Sequence, residues 1–280
     1  MKNYRNIKRL VNGIPAIDGA GVQLVRLVGN NDVKDFDPFL LFDAFDSTDP
    51  ATYIKGFPWH PHRGMETVTY LIEGEIEHGD SMGNVDVIKA GDCQWMTAGS
   101  GIVHQEMPRP ANRLLGGQLW LNLPAKNKMT KPQYKPIVKQ EIPVIEEKNA
   151  TVRILTGTYN EHKGATEGDY VKASYLDVTV KPDSEWEIDT TPSHTVFIYI
   201  VEGKANFGHD YPRTISAKNV ILFDNGEALK LHTSEKPVRF LLFSGQPLRE
   251  PIAWGGPIVM NTRDELMLAF QELDENNFIK

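Results

Sequence analysis

The chain has one cysteine, Cys93, in 280 residues. A lone thiol closes no internal disulfide, which agrees with a reducing compartment. It also excludes thiolate-rich zinc and iron–sulfur sites, so any metal has to be held by histidine and carboxylate. Cys93 itself, in AGDCQWMTAG, reads as a small buried core residue. No run of about 18 apolar residues exists, so no membrane-spanning helix is expected. The N-terminal MKNYRNIKRLVNGIPAIDGAG carries basic residues without the apolar block of a secretory signal, and a cytoplasmic location is the expectation. Long basic runs are missing too: 30 basic against 37 acidic residues leave a net charge of −7. Phosphate contacts dominate nucleic-acid affinity, so direct nucleic-acid binding is not expected.

Helical periodicity is equally scarce. It is confined to the C-terminus, where Thr262 and Glu265 make a capping-box pattern and Leu266, Ala269, Phe270 and Leu273 share one face. The rest reads as short strands between Gly, Pro, Asn and Asp, among them ETVTYLIEG, LLGGQLWLNLP, HTVFIYIVEG, NVILFDNG and VRFLLFSG. With 40% hydrophobic and 24% charged residues this is an ordinary globular composition. Its length suffices for two domains of about 130 to 150 residues each. The Pro- and Lys-rich stretch from Leu123 to Val144 interrupts the strands and reads as a linker. YLIEGEIEHGDSMGNVDVIKAGD, from Tyr70, is echoed by YIVEGKANFGHDYPRTISAKN, from Tyr199. The expectation is a duplicated all-β fold, with domains at 1–135 and 136–280 and the helix in the second. Closed barrels would leave neither with an open sheet edge.

Eight histidines occur, and four are in the first half: His60, His62, His78 and His104. His60 and His62, in FPWHPHRGMETVTY, are two apart and share a face in an extended chain, a parity that carries on to Glu66. In MTAGSGIVHQEMP, His104 and Glu106 share a face by the same rule. A barrel pairing these two strands would bring together three imidazoles and one or two carboxylates, a donor set suited to Fe(II), Mn(II), Ni(II) or Zn(II). Aligning Tyr70 with Tyr199 puts Asp189 and Thr191 opposite His60 and His62, and the repeat, whose second copy is two residues shorter, puts Leu231 and Thr233 opposite His104 and Glu106. All four polar positions are lost together in the second half, as expected of a functional cluster. His78 reads as a surface residue. Phe57, Trp59, Trp95, Met96 and Met107 are candidates for an apolar pocket wall.

The runs FPWHPHRGMETVTYLIEGEIEHGDSMGN, AGDCQWMTAGSGIVHQEMP and GQLWLNLP resemble the pirins of the cupin superfamily. DPFLLFDAF and PLREPIAWGGPIVMNTRDEL extend the resemblance over essentially the whole chain. It implies a bicupin, two jelly-roll β-barrels face to face, with one metal in the N-terminal barrel. It further implies Fe(II), with Mn(II), Ni(II), Zn(II) or Cu(II) as other candidates, held by His60, His62, His104 and Glu106. Many cupins draw their carboxylate from the first motif, here Glu66. The pirin pattern prefers Glu106 and leaves Glu66 as a neighbouring structural acid.

Two activities are implied by the same resemblance. One is a quercetin 2,3-dioxygenase, with a flavonol and dioxygen as substrates and Glu106 taking the 3-hydroxyl proton. The other is a non-catalytic, iron-dependent redox sensor that acts on a protein partner. Fold alone does not choose between them.

Overall fold

The computed structural model describes residues 2–210 and 212–280, and among these no helix is long and apolar enough to cross a membrane. The chain forms two compact all-β units whose segments interleave. The first barrel comprises Ile14–Val33, Phe39–Lys139 and Leu248–Lys280; the second comprises Met1–Gly13, Lys34–Pro38 and Gln140–Pro247. A single cut at 135/136 therefore does not describe the chain. The C-terminal helix, expected in the second domain, belongs to the first barrel, and the N-terminal strand Ile7–Asn12 belongs to the second.

Each barrel is made of two antiparallel sheets. In the first, the larger sheet runs Gln133–Ile137, Cys93–Thr97, Met65–Glu73, Leu114–Asn122, Phe39–Ser47, Val22–Val28 and Ile14–Asp18. The smaller runs Phe57–His62, Ile102–Pro108, Ile76–Asp80 and Val85–Ile88. The second barrel repeats this strand for strand. Its larger sheet runs Ile7–Asn12, Asn219–Phe223, Thr195–Glu202, Val238–Gly245, Ser174–Val180, Ala150–Thr156 and Val144–Glu146. Its smaller one runs Glu185–Asp189, Ala228–His232, Lys204–Phe207 and Arg213–Ser216. The repeat seen around Tyr70 and Tyr199 is thus a whole-domain duplication. Part of the expected linker is strand, since Gln133–Ile137 pairs with Cys93–Thr97 at a sheet edge, where Pro136 is tolerated.

Strand pairing also corrects the counterparts assigned by offset. The Glu73-Gly74 and Glu202-Gly203 turns coincide, each glycine at positive φ where a side chain would be strained. From these turns His78 corresponds to Phe207. Glu106 pairs with His78 as Leu231 pairs with Phe207, and His104 pairs with His60 as Leu229 pairs with Ile188. His60, His104 and Glu106 therefore correspond to Ile188, Leu229 and Leu231. In the larger sheet, Thr69 pairs with Gln94 and Gln118 as Ile198 pairs with Ile221 and Leu242. These three candidate ligand positions are aliphatic in the second barrel, but the residues differ from those expected; the connecting loops differ in length, so sequence offsets slip.

Core composition follows from these substitutions. Ile188, Ile198, Ile221, Leu229, Leu231 and Leu242 all belong to one continuous apolar core in the second barrel. In the first, the apolar interior is divided between a cluster around Val22, Leu71 and Leu114 and another around Met65, Met96 and Ile102. Buried Thr69, Gln94, His104 and Glu106 form a separate polar group. A buried polar group costs stability unless it is hydrogen-bonded, so a polar layer of this size has to be internally satisfied or satisfied by a ligand.

The helix Arg263–Asp274 starts at Thr262, whose hydroxyl accepts from Glu265 N while Glu265 Oε2 accepts from Thr262 N. Ala269 is fully buried and Leu266 and Leu273 pack around it, as the sequence pattern requires, whereas Phe270, expected on the same face, is exposed.

Candidate metal centre

Two strands of the smaller sheet carry the three histidines. Along Ile102–Pro108 burial alternates, with Ile102, His104 and Glu106 inward and Val103, Gln105 and Met107 less buried. His104 lies opposite His60 on Phe57–His62, and Ile102 lies opposite His62. One ligand atom from each of His60, His62 and His104 falls within 4.8 Å of the others, the group among the described residues that could hold a metal ion. Their ring centroids are 4.4 to 5.1 Å apart.

The hydrogen bonding fits a cation. His60 Nδ1 lies 2.8 Å from the Pro58 carbonyl and His62 Nδ1 lies 3.1 Å from the Pro257 carbonyl. A carbonyl only accepts, so both Nδ1 atoms carry the proton and both Nε2 atoms present lone pairs. These two Nε2 atoms are 3.1 Å apart, an arrangement that repels unless a positive charge sits between or beside them. His104 is fully buried, and neither of its ring nitrogens has a hydrogen-bond partner among the described residues. Burial first, then the neighbouring His60, pushes His62 down to about 3. Burial and the surrounding imidazoles hold His104 well below the ordinary histidine range. Both stay neutral at neutral pH, the state that ligates a metal.

Glu106 lies outside this 4.8 Å group. Its Oε1 accepts from Gln94 Nε2 at 2.5 Å and from Thr69 Oγ1 at 3.1 Å. Its Oε2 accepts from Gln118 Nε2 at 2.7 Å, and Gln118 Oε1 in turn accepts from Trp120 Nε1 at 2.9 Å. The carboxylate is therefore held next to the histidines by a cage of two amides and a hydroxyl. Glu66 is fully buried, and its Oε1 accepts from Thr97 Oγ1 at 2.7 Å. It is also outside the group. His78 is not at the surface: it is 1% exposed, 3.1 Å from Asp80 Oδ2, stacked on Tyr134 at 4.2 Å and 5.5 Å from the His104 ring. Cys93 is buried as expected, with its thiol pushed well up by burial.

The turn after His62 is braced from below. Arg63, 2% exposed, donates to Glu272 Oε2 at 2.6 Å and to the Phe278 carbonyl at 2.7 Å, and its guanidinium lies 4.1 Å from the Phe278 ring centroid. Lys128, also buried, donates to the carbonyls of Gly64 and Val259 and to Asn122 Oδ1. A Cβ on Gly64, at φ +76, would meet the Val259 carbonyl oxygen at 2.0 Å.

A cavity of about 670 Å³ reaches His60, His62 and Glu106. Its lining extends outward to Trp59, which is 55% exposed, so the site communicates with solvent. Of the expected wall, Phe57 and Trp59 line the cavity, while Trp95 and Met96 are core residues and Met107 is not in the lining. Trp120 and Trp254, which sequence reading did not select, line it instead. Trp120 sits edge-on to His62 at 5.0 Å and 5.9 Å from Trp254. The amides of the cage were overlooked as well, although they leave a signal: Gln94 and Gln118 interrupt otherwise apolar strands at positions the second copy fills with aliphatics.

Two β-barrels of duplicated topology, one apolar inside and one with three converging imidazoles beside an open cavity, define a bicupin with a candidate metal centre. Residues 21–121 match the family model described as Pirin, and residues 175–279 match the Pirin C-terminal cupin domain. The chain belongs to the pirin family. It is 39% identical to a pirin-like protein of Caulobacter vibrioides over 98% of this chain and 99% of that one. It is 37% identical to human pirin over 90% and 86% of the respective chains. Among solved structures, a quercetin 2,3-dioxygenase from Acinetobacter baumannii matches with TM-score 0.90 and 32% identity, covering 98% of each chain.

Proposed function

We propose that the protein is a metal-dependent dioxygenase that opens the central ring of a quercetin-type flavonol with dioxygen and releases carbon monoxide. The observation that carries this reading is the convergence of His60, His62 and His104, the first two lining a solvent-connected cavity walled by tryptophans. A structural relative described as a quercetin 2,3-dioxygenase supports it.

His60, His62 and His104 would hold the metal, Fe(II) being the proposed ion, and Glu106 would join them as fourth ligand on leaving its amide cage. The metal, when bound, supplies Lewis acidity toward an enol oxygen and redox access to dioxygen. The chain's own residues do the rest. Trp120, Trp254 and Phe57 offer flat apolar surface for a planar polyphenol, and their bulk keeps water from the reacting face. Glu106, next to the histidines, takes the 3-hydroxyl proton, which makes the ring electron-rich enough to react. Its partners Gln94, Gln118 and Thr69 are hydrogen-bond donors aimed at the carboxylate and hold it in reach. The Pro58 and Pro257 carbonyls fix the tautomers of His60 and His62.

The test is to load the protein with Fe(II), Mn(II) or Ni(II), add quercetin under air, and follow loss of flavonol absorbance alongside bound metal. Turnover is expected, falling about 10²-fold or more in Glu106→Gln, with metal content lost in His104→Ala. Stoichiometric metal without turnover on any of the three ions would overturn the enzyme reading and leave a non-catalytic metal-binding protein.

A further inference from the structure

The amide cage around Glu106 is specific to this barrel. Each of its members has an aliphatic counterpart in the second copy of the same fold: Thr69 against Ile198, Gln94 against Ile221, Gln118 against Leu242 and Glu106 against Leu231. The fold itself therefore has no need of the network. Three donors converge on two carboxylate oxygens, and that carboxylate stays outside the 4.8 Å histidine group. Gln118 is the one donor to Oε2. Its orientation is fixed from the far side, because an indole N–H only donates: Trp120 Nε1 holds the Gln118 carbonyl oxygen and so turns the amide nitrogen toward Glu106. Trp120 also lines the cavity.

We propose that Gln118, oriented by Trp120, is a positioning residue that holds Glu106 off the three histidines and so sets whether the site offers a metal three ligands or four. Charge-assisted hydrogen bonds of this kind are strong enough to shift a ligand equilibrium about tenfold each. With the Gln118 bond in place, Glu106 is retained as a proton acceptor. When the bond is broken, the carboxylate swings toward the imidazoles. Because Trp120 belongs to the cavity wall, a planar aromatic occupant resting on it acts on the same switch. The inference rests on the metal-site reading above.

Metal affinity measured by competition with a chromophoric chelator tests it without recourse to turnover. Gln118→Leu is expected to bind a divalent metal about tenfold more tightly than the unmodified protein, and Trp120→Phe, which removes the indole donor along with part of the ring but leaves Gln118 in place, to shift in the same direction by less. The gain should vanish in the Gln118→Leu/Glu106→Gln double variant, an outcome that a merely structural effect of Gln118 would not produce. Unchanged or weakened binding in Gln118→Leu, or a gain that persists without the Glu106 carboxylate, overturns the inference. Failure of the underlying reading is separable: it shows as an unmodified protein whose metal binding does not depend on His104.

Discussion

Among single residues, the site was legible where chemistry and spacing coincide. His60, His62 and His104 are few, polar and spaced by strand parity in a chain of apolar strands, and the structure brings them together. His78 follows an exposed-looking turn, and its partners lie far off in sequence: Tyr134, which stacks on it, and the His104 ring. Gln94 and Gln118 are marked in the sequence only by interrupting apolar strands, a signal that gains meaning once strand pairing sets them against Ile221 and Leu242. Lys128 is the opposite case, a cation that nothing in sequence marks as buried. Burial pushes its ammonium down to about 7, while in the unfolded chain it titrates near ~10.4. Below pH 7 both states are protonated and the burial cost is fully present. Between about 7 and 10.4 the unfolded chain binds more protons, so stability contributed by this residue rises with pH. The difference in Tm between the unmodified protein and Lys128→Met should therefore shift in favour of the unmodified protein as pH rises from 7 to 10. A difference that stays flat over that window would show that the amine is not held as described.

At the level of elements, strand existence and alternation were readable, and so was the capping box of the C-terminal helix. Partnership was not. The helix follows the second barrel in sequence yet packs in the first, through Ile258, Met260 and Ala269, because sequence order says nothing about which surface an amphipathic face will meet. Its contribution at the site comes through Arg63. Removing Glu272 leaves a buried guanidinium short of its carboxylate, and Glu272→Ala should cost about 2–3 kcal/mol in urea unfolding, the low end for breaking a buried pair since Glu272 itself is partly exposed. Thr262→Ala removes only the cap and should cost about 1 kcal/mol. If the two losses were equal, Arg63 would not be the main tie between helix and barrel.

For the whole molecule, duplication was visible in one pair of hairpins, and the second copy has aliphatic residues where the first has His60, His104 and Glu106. The particular counterparts did not, since loops of unequal length move the register and only hydrogen-bonded pairing restores it. The comparison between copies gives a direct test. Leu231, at the place of Glu106, is buried in a continuous apolar core. Leu231→Gln should therefore cost about 3 kcal/mol in denaturant unfolding, having no cage to receive it, and leave the bound metal at one per chain. A tolerated substitution would mean the second core is looser than its packing indicates.

The Phe278 carbonyl, two residues from the chain end, accepts from the arginine that directly follows His62. The segment around Phe278 is thus tied to the strand end that carries His62. A preparation in which the segment around Phe278 is cut or fused should be checked for metal binding before its inactivity is taken as a property of the protein.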